Sequence, residues 1–201
     1  MKKTLSVLVI LSLLLTQKTN AQLEKGNVLV GADLANFNIG LDEGGKTSIS
    51  LTPKAAWFIK DNMAIGPYVG FGFTSQKVSG ETATTTTYGV GLFGRYYASK
   101  EETKDINFLK HGRWFGEVNA GIGGENTKGG NSTNGLALGF GPGYAYFITQ
   151  SVAFETLLKW NPTIGFGNEP FKSNLTLNFG FQIYLPGKAT MNKVKSQEGI
   201  K

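Results

Sequence analysis

The chain is 201 residues long, with 28 glycines, 20 lysines and arginines against 14 aspartates and glutamates, one histidine and no cysteine. The lack of cysteine argues against a lipoprotein anchor, a disulfide framework and a thiolate metal site, and one histidine cannot build a three-histidine zinc centre. The formal charge of +6 is dispersed along the chain and does not make a nucleic-acid surface.

At the start, Lys2 and Lys3 precede an apolar run from Leu5 to Leu15, and a polar stretch follows that ends Thr19-Asn20-Ala21-Gln22. This is the layout of a secretory signal peptide over residues 1–21, with cleavage expected after Ala21. The apolar run is about half the length of a bilayer-spanning helix, and no later stretch approaches the roughly 20 consecutive apolar residues such a helix needs. Loss of Lys2, Lys3 and Lys18 leaves 17 basic residues against 14 acidic ones. One domain is expected over 22–185, followed by a polar tail over 186–201.

From there the hydrophobic period is 2, the signature of strands. The first segment, near 27 to 40, alternates Val28, Val30, Ala32 and Leu34 with Gly31 and Asp33, then changes register to Phe37 and Ile39, as a bulge near Ala35 would produce. The second sets Ile49, Leu51, Pro53, Ala55, Trp57 and Ile59 against Ser48, Ser50, Thr52, Lys54, Ala56 and Phe58. Lys60-Asp61-Asn62 is a tight hairpin signal leading into the third, which alternates from Met63 to Thr74. The fourth runs from Thr86 to Tyr97, the fifth from Arg113 to Gly123, the sixth from Gly135 to Tyr146, the seventh from Val152 to Trp160 and the eighth from Leu175 to Tyr184.

Every segment has one large apolar face, and the other face is mostly glycine, alanine, serine and threonine. Charges appear there singly, at Asp33, Lys54, Arg95, Glu117, Glu155 and Lys159. A water-facing surface would carry many more lysines and glutamates, whereas a narrow lumen needs small residues and a few opposite charges that pair. The apolar face is therefore expected to look outward into lipid, with the charges paired as an interior network that plugs the lumen. The expected fold is all-β, an eight-stranded antiparallel up-and-down transmembrane β-barrel.

Aromatic residues fall where a lipid interface would want them: Trp57, Tyr96, Trp114, Tyr144 and Tyr146 near one rim, Phe37, Phe73 and Trp160 near the other. With both termini periplasmic, the connections near 41–46, 77–83, 125–133 and 164–172 face outside. The hairpin Ala56-Trp57-Phe58-Ile59-Lys60-Asp61-Asn62-Met63-Ala64-Ile65 is echoed by Ala145-Tyr146-Phe147-Ile148-Thr149-Gln150-Ser151-Val152-Ala153-Phe154. In these hairpins and in the alternation over about residues 24 to 185, the chain resembles the small outer-membrane β-barrel domain family, which includes the OmpA-, OmpX- and OmpW-like porin-family proteins. It departs in a long connection from Ser99 to Gly112 and in the tail from Pro186 to Lys201.

The resemblance implies residence in the bacterial outer membrane as a monomer, in contact with outer-membrane lipid and lipopolysaccharide and inserted by the barrel-assembly machinery. It implies a structural or surface role, or narrow passage of small solutes, apolar ones if the likeness is to OmpW. No cofactor or nucleic-acid partner is expected, and no enzymatic activity, because lipid-modifying barrels of this kind need a histidine beside a serine and a carboxylate at the outer rim, and the only histidine, His111, falls in the expected periplasmic turn. Gly89-Val90-Gly91-Leu92-Phe93-Gly94 has dinucleotide-loop spacing but lies within one alternating strand, and Asn131-Ser132-Thr133 is only a formal glycosylation triplet. The rival from another class is an exported soluble barrel that binds an apolar ligand, like a lipocalin, with its large apolar residues facing inward.

Overall fold

The computed structural model describes residues 23–38, 46–78, 81–98, 112–128, 132–166 and 171–187. They form eight strands: β1 (Val28–Asn38), β2 (Lys46–Lys60), β3 (Met63–Val78), β4 (Glu81–Tyr97), β5 (Gly112–Thr127), β6 (Ser132–Phe147), β7 (Val152–Gly165) and β8 (Lys172–Leu185). Each pairs antiparallel with the next, and β8 returns to β1 through pairs such as Val30 with Ile183, closing the barrel. Over Val28–Leu34 and Phe179–Leu185 this closure leaves neither strand an unpaired edge, which a sheet in contact with lipid requires. The expected signal peptide, the tail beyond Gly187 and His111 lie outside the described residues.

Sidedness follows the period of 2. Leu92, Val118 and Phe179 are 58%, 60% and 59% exposed, whereas their chain neighbours Phe93, Glu117 and Asn178 are 2%, 2% and 6% exposed. The outer wall is thus a continuous apolar surface, Ile65 and Val69 on β3, Val90 on β4, Phe154 on β7 and Phe181 on β8 among its members. The lipocalin-like rival required the reverse arrangement. The expected bulge is present in β1, where the register with β2 shifts between Ala35 and Asn38 and Asn36 has φ of 53°. Asn62 closes the β2–β3 hairpin at φ of 62°, a conformation asparagine tolerates better than most side chains.

The strands differ from expectation in length, and always at the same end. At the end that holds the chain termini the bounds agree to within a residue or two, but at the far end β3 continues to Val78, β4 begins at Glu81, β5 reaches Thr127 and β7 reaches Gly165. Crossing a bilayer takes about 9–11 tilted residues, so strands of 14 to 17 residues carry the wall beyond the apolar band. The added residues are mostly polar, yet their alternation continues, and the connections expected near 77–83, 125–133 and 164–172 are correspondingly shorter.

The terminus end is closed by packing. Leu29, Phe58, Tyr97, Phe115, Leu157 and Tyr184 form one buried cluster, with Tyr97 and Phe115 ring centroids 5.5 Å apart and Phe147 and Tyr184 5.1 Å apart. Residues 23–27 fold beneath it: the Asn62 amide donates to the Leu23 carbonyl at 2.7 Å and the Gly26 amide to the Phe58 carbonyl at 2.8 Å. The Gly187 amide donates to the Asn27 side-chain oxygen at 3.0 Å, joining the segment before β1 to the one after β8.

Candidate functional site in the barrel interior

The six charged residues singled out in the sequence come from five strands and meet inside the barrel. Lys54 pairs with Asp33 at 2.5 Å and with Glu117 at 2.9 Å. Arg95 donates through Nη2 to Glu117 at 2.7 Å and through Nη1 to Glu155 at 2.7 Å. Asp33, Lys54, Glu117, Arg95 and Glu155 therefore form an alternating chain of charge with one negative charge in excess. Lys159 balances it from 3.8 Å, held against Glu117 more loosely than the others and with 15% of its side chain exposed.

Neutral groups take up part of the remaining hydrogen-bonding capacity, and the Gln182 side-chain oxygen is left without a partner. Tyr184 donates to Glu155 at 2.7 Å, Gln182 donates to Asp33 at 2.8 Å, and Arg95 reaches the Tyr97 hydroxyl at 2.9 Å. The guanidinium carbon of Arg95 sits 4.1 Å from the centre of the Phe115 ring, a cation–π contact inside a desolvated site. Buried ions are tolerable only when paired and hydrogen-bonded this completely.

The glycines of β6 make room for this layer. A Cβ at Gly143 would run into the Phe115 ring, and one at Gly141 into the backbone oxygen of Leu158. The inner face of β6 contributes space, and the faces of β4 and β5 fill it. The dinucleotide-like glycines at 89, 91 and 94 lie within β4, and a Cβ at Gly91 would strike the backbone of β5. They are wall residues.

Above the ionic layer, toward the far end, lies a cavity of about 580 Å³. Thr87, Glu125, Thr133, Asn161, Thr163 and Asn174 line it, and Lys172 pairs with Glu125 across it at 2.6 Å. Sequence reasoning missed Asn161, Thr163, Lys172 and Asn174, since they lie past the points where the apolar alternation stops. The available signal was the continued alternation of inward Asn161 and Thr163 with Pro162 and Ile164.

The aromatic candidates whose side chains are described sit on the outer wall. Trp57, Tyr96, Trp114 and Tyr146 are exposed close to the terminus end, and Tyr144 leans on Trp114 at 5.2 Å between ring centres. Trp160 lies within β7, opposite Leu175 and edge-on to Phe140 at 5.1 Å. Phe73 is exposed on β3, and the side chain of Phe37 is outside the described residues.

No protein-family model matches the sequence, and no curated protein matches it. Among solved structures the chain is similar to Neisserial surface protein A, with a TM-score of 0.51 and 13% identity over 79% of this chain and 97% of that one. It is similar at lower scores to the N-terminal β-barrel domain of Pseudomonas aeruginosa OprF (TM-score 0.42, 9% identity, 80% and 98% covered) and to the E. coli outer membrane protein W (TM-score 0.39, 14% identity, 80% and 98% covered). The likeness to the first is one of fold: this chain has the eight-stranded fold of a small outer-membrane barrel.

Proposed function

We propose that this fold does here what its surface chemistry suits it for, standing in a bacterial outer membrane as a sealed barrel with a structural and surface role. The observation that carries the reading is the combination of an apolar outer wall with a buried, fully paired ionic layer. Such a wall in water would present a far larger apolar patch than a soluble monomer tolerates, and lipid removes that cost. The expected signal peptide is consistent with export. Contacts with lipid and lipopolysaccharide along the aromatic residues, insertion by the assembly machinery and a monomeric state belong to the same proposal.

Passage of solutes is disfavoured by the interior. A solute entering from the far end meets Lys159, Glu117 and Arg95, and below them the aromatic cluster. An apolar solute would have to displace paired charges, which is costly. No catalytic role is proposed.

The test is membrane fractionation followed by gel mobility of unheated and boiled detergent extracts, then conductance across planar bilayers. Outer-membrane recovery, a heat-dependent shift and no steady current are expected. A soluble periplasmic protein without a shift would overturn the membrane reading, and a steady current through the wild-type barrel would overturn the seal.

A further inference from the structure

We infer that the far half of the interior is a blind cup that binds a small, neutral, polyhydroxylated solute, a mono- or disaccharide unit. The cavity of about 580 Å³ is within the usual range for small-molecule sites, roughly 300–1,000 Å³, and the ionic layer closes it below. Its only charged lining residues among those described, Glu125 and Lys172, neutralise each other, so the lining does not select for an ion.

The floor is more specific. Asn119 lies opposite Gly139 and Asn161 opposite Asn174 in the strand register. Asn119 gives its NH₂ to the Tyr68 hydroxyl at 3.2 Å, and Asn161 gives its NH₂ to Thr176 at 2.9 Å and to the Lys159 carbonyl at 3.1 Å. Asn161 has committed both its hydrogens and Asn119 one of its two, and both oxygens converge over Gly139, where an added Cβ would meet the Asn119 oxygen and lie 3.2 Å from that of Asn161. The Asn119 oxygen is buried away from the cavity lining, whereas Asn161 lines the cavity with its hydrogens already given to Thr176 and the Lys159 carbonyl. What the Asn161 carboxamide offers the cavity is its acceptor oxygen, which calls for a donor.

Two kinds of ligand donor are available, an ammonium and a hydroxyl. Lys159, the partly exposed and loosely paired cation of the layer beneath, repels an ammonium. A hydroxyl meets no such penalty. Higher in the cup, Thr87, Thr133 and Thr163 offer hydroxyls that donate and accept, matching further hydroxyls on the same ligand. The aromatic ring at the rim, Tyr88, faces outward and uses its hydroxyl on Asn134 at 2.5 Å, so among the described residues no stacking platform strengthens the site. Affinity is expected at about 1–10 mM.

The inference rests on the sealed floor of the proposed barrel and not on its cellular address. The experiment is saturation-transfer NMR on the refolded chain in a zwitterionic detergent without sugar headgroups, with glucose, maltose and a longer malto-oligosaccharide, and choline as the cationic control. Transfer to the free sugars or to the end of the oligosaccharide supports the cup and tells a free solute from a glycan terminus. Thr163→Trp, which fills the cavity, is expected to abolish the signal, and Asn161→Ala to weaken it about three- to tenfold. If Thr163→Trp loses the heat-dependent gel shift, Thr133→Phe fills the same space from the neighbouring strand. No transfer at about 50 mM sugar, well above the expected dissociation constant, or transfer unchanged in a folded filled variant, overturns the cup. So does stronger transfer to choline. A wild-type barrel that shows the heat shift and binds nothing sinks the cup alone, whereas absence of the shift sinks the barrel reading itself.

Discussion

The two halves of the interior solve opposite problems with the same alternation of residues. In the half near the termini, Arg95, Glu117 and Tyr97 sit with almost no exposure, and the glycines of β6 let them pack side by side. In the far half the inward positions are threonine, asparagine and glycine, with ordinary volumes but no large partner opposite, and a cavity remains. The difference lies in what faces each small residue across the lumen. Gly143 faces the Phe115 ring and is filled, while a Cβ at Gly89 would meet nothing nearer than 3.6 Å. Stability is concentrated in the first half, and the second is free to vary.

The sharpest way to break the comparison is Arg95→Ala. Glu117 and Glu155 lose their shared cation in a buried site, and the expected cost is about 3–5 kcal/mol, read as a lower urea midpoint in micelles and loss of the heat-resistant gel form. An unchanged midpoint would mean that solvent reaches the layer. Gly141→Val tests the packing side: a branched side chain would press on the Leu158 carbonyl, a backbone atom that cannot rotate away. About 1–3 kcal/mol is expected, by the same midpoint measurement.

Lys159→Met lies at the boundary between the halves. Its long contact with Glu117 and its partial exposure make about 1 kcal/mol or less the expected loss, well below that of Arg95→Ala. A loss as large as that of Arg95 would place Lys159 inside the sealed layer. Thr163→Ala, in the far half, should change stability by no more than about 0.5 kcal/mol, and a larger effect would show that the cup walls carry load.

The sequence disclosed the fold because lipid reverses the usual rule of burial. Large side chains such as Leu92 and Val118 at alternate positions must face outward when the residues between them are glycines and single charges. The charge pairing was legible for the same reason, since Asp33, Lys54 and Glu117 have nowhere to be but inside. The far half was not legible, because its signal is steric as well as chemical. Asn161 and Asn174 look like loop residues in the chain, and only the register that sets them opposite each other makes them a floor. The aromatic cluster of Phe58, Phe115 and Tyr184 was hidden by its dispersal: each ring occurs singly among small residues on its own strand, and closure of the barrel assembles them.

The contact between Asn27 and Gly187 bears on how such a chain can be built and rearranged. Because the amide after the last strand binds the side chain before the first, the two ends of the barrel lie side by side at one rim. A short linker there, with new ends cut into the connection between β3 and β4, should give a circular permutant with the same wall. In the natural order the first strand has only one neighbour until the last arrives, so the Asn27 side chain cannot make this bond until the final residues of the barrel are in place.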